Sequence, residues 1–345
     1  MKLLILGGTR FLGRHLAQQA LDAGHAVTLL HRGLSGPALF PEAEHLIADR
    51  NGDLAAALAP GGSWDAAIDT SAYFPRQVQR AAAALADRVG QYQLVSTISV
   101  YAQFDAEPVT EDTPLQTLPD PTVETVTGAT YGGLKALCEE AALEGFGARA
   151  LIARPGLLVG PHDPTGRFTW WAQRFVRADT GDDDDAEVLA PGDPDGPLQF
   201  IDARDAAAWL LHQAEACSSG TCNLTGPEHA LTMGDFLATA RETLAPAAEL
   251  LWVDEAFLLQ QGVAPWSDLP VWLPAAASGT HRMDITRALA TGLQCRPLAQ
   301  TLRDTAAWAG RAAPGAPAAP GGPPRPSVGL APAREAALRE AWKAR

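Results

Sequence analysis

Lysine is almost missing from this 345-residue chain and occurs only at Lys2, Lys135 and Lys343. Arginine and alanine are abundant instead, which reads as a GC-rich coding bias rather than as function. Acidic residues outnumber Lys plus Arg by 40 to 26, and the net charge of −14 disfavours nucleic acid or an anionic membrane as the main partner. No apolar run is long enough to span a bilayer, so no membrane association is expected. The first apolar run ends in glycine after five residues, too short for a secretory leader, and a cytoplasmic location is expected. Cys138, Cys217, Cys222 and Cys295 show neither metal-ligand nor redox spacing. No metal is therefore expected, and reduced thiols are favoured over a Cys217–Cys222 pair. The acidic stretch Gly181 to Asp185 lacks the ligand pattern of a calcium loop and reads as a solvated turn. No internal repeat is present. With 47% hydrophobic and 19% charged residues, the remainder is that of a soluble globular protein of one large or two modest domains.

The densest pattern lies in the first thirty-odd residues. Lys2-Leu3-Leu4-Ile5-Leu6 suits a buried parallel strand, and Gly7-Gly8-Thr9-Arg10-Phe11-Leu12-Gly13 follows at once. A helical pattern runs from His15 to Ala23, Gly24 stops it, and Ala26 to Leu30 forms the next strand. Strand, glycine turn, helix and strand in this order form the context that gives a dinucleotide-binding motif its meaning. Free N–H groups at the helix start attract a pyrophosphate. Gly7 permits the tight turn and Gly13 lets the helix approach the strand, while Thr9, Arg10, Phe11 and Leu12 complete the expected cofactor contact. Arg10 stands where a middle glycine is usual, so its side chain either turns away from the cofactor or joins in binding it. The second strand ends in His31-Arg32-Gly33 with no carboxylate for a ribose 2′-hydroxyl. Arg32 suits a 2′-phosphate, or is a solvated loop residue; the balance favours NADP(H) over NAD(H).

Further strands are expected at His45 to Arg50, Trp64 to Ser71 and Gln91 to Thr97, with an Ala-rich helix over residues 76–87. The polar pair Asp49 and Arg50, and Thr70 after the fourth strand, are placed beside the cofactor. Asp49 either receives the adenine amino group or caps the next helix. Residues 102–129 read as a loop over the site, followed by a helix from Ala129 to Glu144 and a strand from Ala148 to Ala153 that leads to Pro155, a further cofactor contact. Tyr131 and Lys135 stand four residues apart on one face of that helix. A cation so close favours phenolate and lowers the tyrosine pKa, which makes Tyr131 a usable proton donor or acceptor. Lys135 also reaches the nicotinamide ribose, and the Thr97 hydroxyl, at a strand end, can hold the same substrate oxygen.

These residues resemble those of an extended short-chain dehydrogenase/reductase of the NAD(P)-dependent epimerase/dehydratase type. The resemblance runs from Met1 to about Trp308. It rests on the glycine turn, Ser96-Thr97-Ile98-Ser99-Val100-Tyr101, Tyr131-Gly132-Gly133-Leu134-Lys135, Arg154-Pro155-Gly156 and Phe200-Ile201-Asp202-Ala203-Arg204-Asp205. It implies an α/β fold, a Rossmann doubly wound parallel sheet with a smaller, mixed α/β C-terminal substrate domain. Thr97, Tyr131 and Lys135 then match the catalytic hydroxyl, acid–base and activator. Ile98-Ser99 stands where sugar 4,6-dehydratases carry Asp-Glu, which argues against dehydration. The Gly-Gly-Thr-Arg-Phe-Leu-Gly form is similar to a subgroup that includes bacterial reductases and chloroplast stem-loop-binding proteins. A homodimer through a four-helix interface is implied by the resemblance alone.

The expected organisation is a cofactor domain over 1–160, with 199–225 returning to it, and a substrate domain over 161–198 and 226–310. An Ala/Pro/Gly linker over 311–331 and a terminal helix over 332–345, docking through Leu338 and Trp342, complete the chain. Residues 233–308 read as mainly helical. Ser99, His162, Arg167 and Arg174 are the candidate substrate contacts, with Arg282 a further cation for a substrate phosphate. His162 is equally well a backbone-satisfied loop residue, each arginine a surface residue, and Trp170, Trp171, Trp266 and Trp272 either stack on substrate or fill core. The expected activity is hydride transfer at an alcohol/carbonyl carbon of a small molecule, such as a nucleotide-activated sugar, by a reductase or epimerase. The alternatives are a catalytically silent NADP-sensing regulator or scaffold and an RNA-binding protein of the stem-loop type.

Overall fold

The computed structural model describes residues 1–59, 62–105, 108–181, 183–311 and 328–345. The chain divides into two units: Met1–Leu158 with Ala203–Gly226 and Met283–Gln294, and Val159–Asp202 with Pro227–Arg282 and Cys295–Arg345. Residues 283–294 thus return to the first unit, and the terminal helix belongs to the second. Most of the expected 311–331 linker lies outside the described residues.

The first unit is organised by a parallel sheet. Its elements are β1 (Lys2–Leu6), α1 (Phe11–Asp22), β2 (Ala26–His31), β3 (Glu44–Ile47), α2 (Leu54–Leu58), β4 (Trp64–Asp69), α3 (Pro75–Leu85), β5 (Val89–Val95), α4 (Tyr131–Phe146) and β6 (Ala150–Pro155). The helix Ala203–Glu215 and the strand Gly220–Leu224 complete it. The seven strands run in the order Gly220–Leu224, β6, β5, β4, β1, β2, β3, each pair parallel. The strands read as continuous apolar runs because both sheet faces are covered: Leu3, Leu4, Ile5 and Leu6 are all 0% exposed. On one face α1 packs with the helix Ala203–Glu215, and on the other α3 packs with α4. Tyr92 of β5 stacks on Phe146 of α4 at 4.1 Å. The chain leaves β1 toward β2 and β3, then crosses back to β4 on the opposite side of β1. The carboxyl ends of β1 and β4 therefore flank a topological switch point, where such sheets bind ligands.

The second unit is mixed. The strand Glu187–Pro191 pairs in parallel with Glu249–Val253, and Pro197–Leu198 pairs antiparallel with Leu231–Thr232. Around them lie the helices Arg167–Thr180, Met233–Leu244, Glu255–Gln260, Leu298–Arg311 and Pro332–Lys343. Residues 233–308 are mainly helical, as expected, and Glu249–Val253 adds a strand: Leu250 and Leu251 are drawn into register with Val188 and Leu189, a pairing no local pattern encodes. Trp171, Phe168, Phe200 and Phe236 form an edge-on aromatic core. The terminal helix docks with Leu338 at 1% exposure and Trp342 against Phe257 at 5.1 Å. The four cysteines are free thiols. Among the described residues no helix is long and apolar enough to cross a membrane, and no His/Cys/Asp/Glu group could hold a metal.

Candidate active site

The turn after β1 leaves the strand through Gly7 at φ 124° and Gly8 at φ 76°, a region that L side chains rarely adopt. A Cβ on Gly7 would lie 2.2 Å from Thr70 Oγ1, and one on Gly13 would lie 2.6 Å from the Gly8 nitrogen. The helix thus starts hard against the turn, at Phe11 rather than His15. Gly8, not singled out above, is as constrained as its neighbours. Arg10 is the N-cap of α1 and makes no capping bond with its side chain, which is exposed. The Thr9 N–H donates to the Gly7 carbonyl at 3.0 Å, and Leu12 is buried in the core. Phe11 stands at φ 37°, its ring edge-on to His15. Thr70, after β4, donates its hydroxyl to the Leu6 carbonyl and ties the two flanking strands together. Pro155 closes β6 opposite Leu224.

At the end of β2, the Gly33 N–H donates to His31 Nδ1 at 3.0 Å. His31 Nε2 must then carry the proton and donate to His45 Nδ1 at 2.8 Å, while His45 Nε2 donates to the Phe40 carbonyl at 3.0 Å. Burial, then the neighbouring His45, holds His31 below its ordinary pKa. With the His31 imidazole accepting at Nδ1 and held below its ordinary pKa, the cation at the strand end is Arg32, which is exposed. Asp49 is exposed and accepts from the Asn51 N–H and side-chain amide, and the next helix is capped by Asp53 instead. Arg50 requires a correction. Its guanidinium faces inward, donating to both carboxylate oxygens of Asp69 at 2.6 Å and to Ser71 at 2.9 Å, with the Tyr92 hydroxyl on the same carboxylate at 2.7 Å. Burial alone would raise Asp69; the charge and hydrogen bonds of Arg50 hold it below the ordinary range. Arg50 therefore ties the loop after β3 to the end of β4 and is not turned toward a ligand.

Thr97 lies just beyond β5 and caps the turn Ile98–Val100, accepting the Ser99 N–H at 3.1 Å and donating to the Ser99 hydroxyl at 3.2 Å. Tyr131 is the first residue of α4, and the Thr97 side chain acts on its phenol, favouring the ionised form. Gly132 allows this: a Cβ there would sit 2.1 Å from the Ser99 carbonyl oxygen. The signal was available as a Gly-Gly pair inside a helix, where glycine costs about 1 kcal/mol relative to alanine. Lys135 is 3% exposed and donates to the Ala72 carbonyl at 2.7 Å and the Val95 carbonyl at 2.8 Å. These bonds pin α4 to the ends of β4 and β5. The expected lowering of the tyrosine pKa by Lys135 does not occur. Burial first, then Tyr73, push the Tyr131 phenol up to about 12, with Thr97 opposing. Lys135 itself is lowered by its own burial. Tyr73, unremarked in the sequence, stands with its ring 6.4 Å from that of Tyr131. Behind them Glu139 accepts from Ser96 and from Arg154.

The expected substrate contacts diverge. Arg174 is corrected: at 1% exposure it donates to Glu335 at 2.8 Å and to the Asp185 and Glu187 carbonyls, so it is a core residue. Trp171 is likewise core, donating to the Pro270 carbonyl. His162 packs on Trp308 at 5.3 Å, and Arg167 stacks on Trp266 at 5.3 Å.

The model of the NAD dependent epimerase/dehydratase family matches residues 3–225. The chain belongs to that family. No curated protein matches it. Among solved structures it is similar to the UDP-glucuronic acid 4-epimerase of Bacillus cereus in complex with NAD, with a TM-score of 0.62 at 18% identity over 89% of this chain and 96% of the other. It is also similar to the enzyme WbmH of Bordetella bronchiseptica in complex with NAD⁺, with a TM-score of 0.63 at 15% identity over 90% and 98%. A third is the UDP-glucose 4-epimerase of Thermotoga maritima with UDP-glucose, with a TM-score of 0.62 at 16% identity over 90% and 99%. At these identities the likeness is one of fold, the Rossmann-type α/β architecture described above.

Proposed function

We propose that this family member is an NAD(P)-dependent oxidoreductase of the extended short-chain type, acting at an alcohol/carbonyl carbon of a nucleotide-activated sugar as a reductase or epimerase. The observation that carries the reading is the meeting of Thr97, Tyr131 and Lys135 at the carboxyl edge of the sheet that also holds the glycine turn. The turn suits a nicotinamide dinucleotide, because side chains are excluded at Gly7, Gly8 and Gly13 and no side chain caps α1. Gly7, Thr9, Arg10, Phe11, Leu12 and Gly13 would hold the pyrophosphate side. When bound, the cofactor supplies the hydride donor or acceptor.

The chain's own residues supply the rest. Thr97 and Tyr131 direct two hydroxyls at one substrate oxygen. With its pKa near 12, the Tyr131 phenol is protonated at neutral pH, the state from which a carbonyl reduction takes its proton. Lys135 has two of its N–H groups on backbone carbonyls and one left for a ribose hydroxyl. Arg32 and the missing carboxylate after β2 favour NADP(H), and Arg32→Ala is expected to weaken NADPH about ten-fold while leaving NADH almost unchanged. Titration of the purified protein with both reduced cofactors is the first test, and indifference to both overturns the reading. Tyr131→Phe should lower turnover about 100-fold or more with cofactor affinity kept. Kept turnover would remove Tyr131 from the chemistry. Stoichiometric loss of reduced cofactor marks a reductase, and cofactor retained through turnover marks an epimerase.

A further inference from the structure

The strand β2 ends beside the glycine turn: the Gly7 N–H donates to the Leu30 carbonyl at 2.9 Å, two residues before Arg32. A dinucleotide seated on that turn lays its adenosine ribose over this strand end. The backbone is held on both sides of Arg32. Before it, the His31 carbonyl accepts the Ala48 N–H at 3.0 Å; after it, the Gly33 N–H donates to His31 Nδ1 at 3.0 Å. Gly33 stands at φ 71°, and a Cβ on it would lie 3.4 Å from Ile47. Ile47 at 60% and Leu34 at 51% are the two most exposed large apolar side chains among the described residues. One closes on Gly33 and the other follows it in the chain, so an apolar surface of the kind a ligand covers is left open at the turn that carries Arg32.

Between His31 and Glu44 the chain forms neither helix nor strand. Two rings tie this loop together. His31 and His45 meet edge to face across β2 and β3, with centroids 5.1 Å apart. His31 Nε2 donates to His45 Nδ1 at 2.8 Å, and His45 Nε2 donates to the Phe40 carbonyl at 3.0 Å. Imidazole suits this place because it accepts on one nitrogen while donating from the other. The hydrogen bonds therefore run in one direction, from the Gly33 N–H to the Phe40 carbonyl, and join the two ends of the loop. Phe40 is buried and stands at φ 59°, an uncommon conformation for a bulky residue. The strand pairing has its own support. Thr28 to His31 lie in register with Glu44 to Ile47, and the Thr28 hydroxyl donates to Glu44 at 2.8 Å.

We propose that the His31–His45 pair positions Arg32 for the 2′-phosphate of NADP(H), so that the choice between the two cofactors is set by a relay behind the turn as well as by the cation on it. This rests on the cofactor reading above and deepens it. A fixed turn reduces the freedom that Arg32 loses when the phosphate arrives. NADH carries no 2′-phosphate and gains nothing from the relay.

The test is fluorescence titration of NADPH and NADH with the full chain and with Arg32→Ala, His45→Phe and the double variant. His45→Phe keeps a planar ring and ends the relay. It is expected to weaken NADPH about three- to ten-fold and to leave NADH unchanged. The double variant is expected to bind NADPH no more weakly than Arg32→Ala alone, because His45 acts through Arg32. Equal weakening of both cofactors overturns the proposal, since a general loss of structure does that. Unchanged affinities overturn it too, as do losses that add in the double variant. Should His45→Phe fail to fold, His45→Asn keeps an acceptor for His31 and drops the bond to Phe40. A fall in the NADPH-to-NADH preference then supports the proposal, and an unchanged preference overturns it. A wild type that binds NADH but does not prefer NADPH defeats this inference and leaves the enzyme reading standing. A wild type that binds neither cofactor defeats both.

Discussion

Tyr131 and Lys135 stand one helical turn apart, yet the charge of one does not set the acidity of the other. Lys135 is drawn away by two backbone carbonyls, and burial governs Tyr131. Spacing on a helix establishes that two side chains share a face; where their ends point depends on what else the face meets. His281 shows the same dominance of surroundings. Buried at 6% exposure, it accepts the Gln199 N–H on Nδ1, and burial lowers its pKa from 6.5 to about 4. The unfolded chain therefore binds this proton more readily than the native one, and stability falls as pH drops from about 6.5 toward 4. The loss is about 3 kcal/mol for the full shift. Urea unfolding at pH 7 and pH 5 should show the decline, and His281→Gln should flatten it; an unchanged slope would assign the decline elsewhere.

At the scale of elements, close approach decides the site. The first turn of α4 reaches the Thr97–Ser99 turn because Gly132 has no side chain, whereas Gly133 faces the flexible end of Leu118. Gly132→Ala should therefore displace Tyr131 and cut turnover well below that of Gly133→Ala, despite alanine's helix preference of about 1 kcal/mol. Steady-state rates and Tm values of the two variants check this. The terminal helix makes a second case. Glu335, 1% exposed, accepts from Arg174, from Arg177 and from the Leu189 N–H. Glu335→Leu leaves a buried guanidinium unpaired and should cost about 3–5 kcal/mol. The double change with Arg174→Met should recover much of it in denaturant titrations.

Across the whole molecule, the charge balance carries its own expectation. At −14 the chain offers little to a polyanion, so a stem-loop RNA should show no retention at physiological salt in a gel shift. Binding with a steep salt slope would revive the RNA-binding alternative.

The sheet of the first unit was legible because its information is local: apolar runs, stop glycines and short connections repeat along the chain, and Gly7 and Gly13 mark the turn by their type alone. The meeting of Thr97 with Tyr131 followed from the order of strands, since both lie at one sheet edge. What the residues alone could not assign was the partner of each arginine. Arg50, Arg167 and Arg174 look alike as letters, but Arg174 meets Glu335 across 161 residues, Arg50 meets Asp69 at the end of another strand, and Arg167 lies over an indole. Periodicity fixes which face a side chain takes, whereas ion pairing depends on segments far apart in sequence. Only the folded chain decides which cations are neutralised within the core.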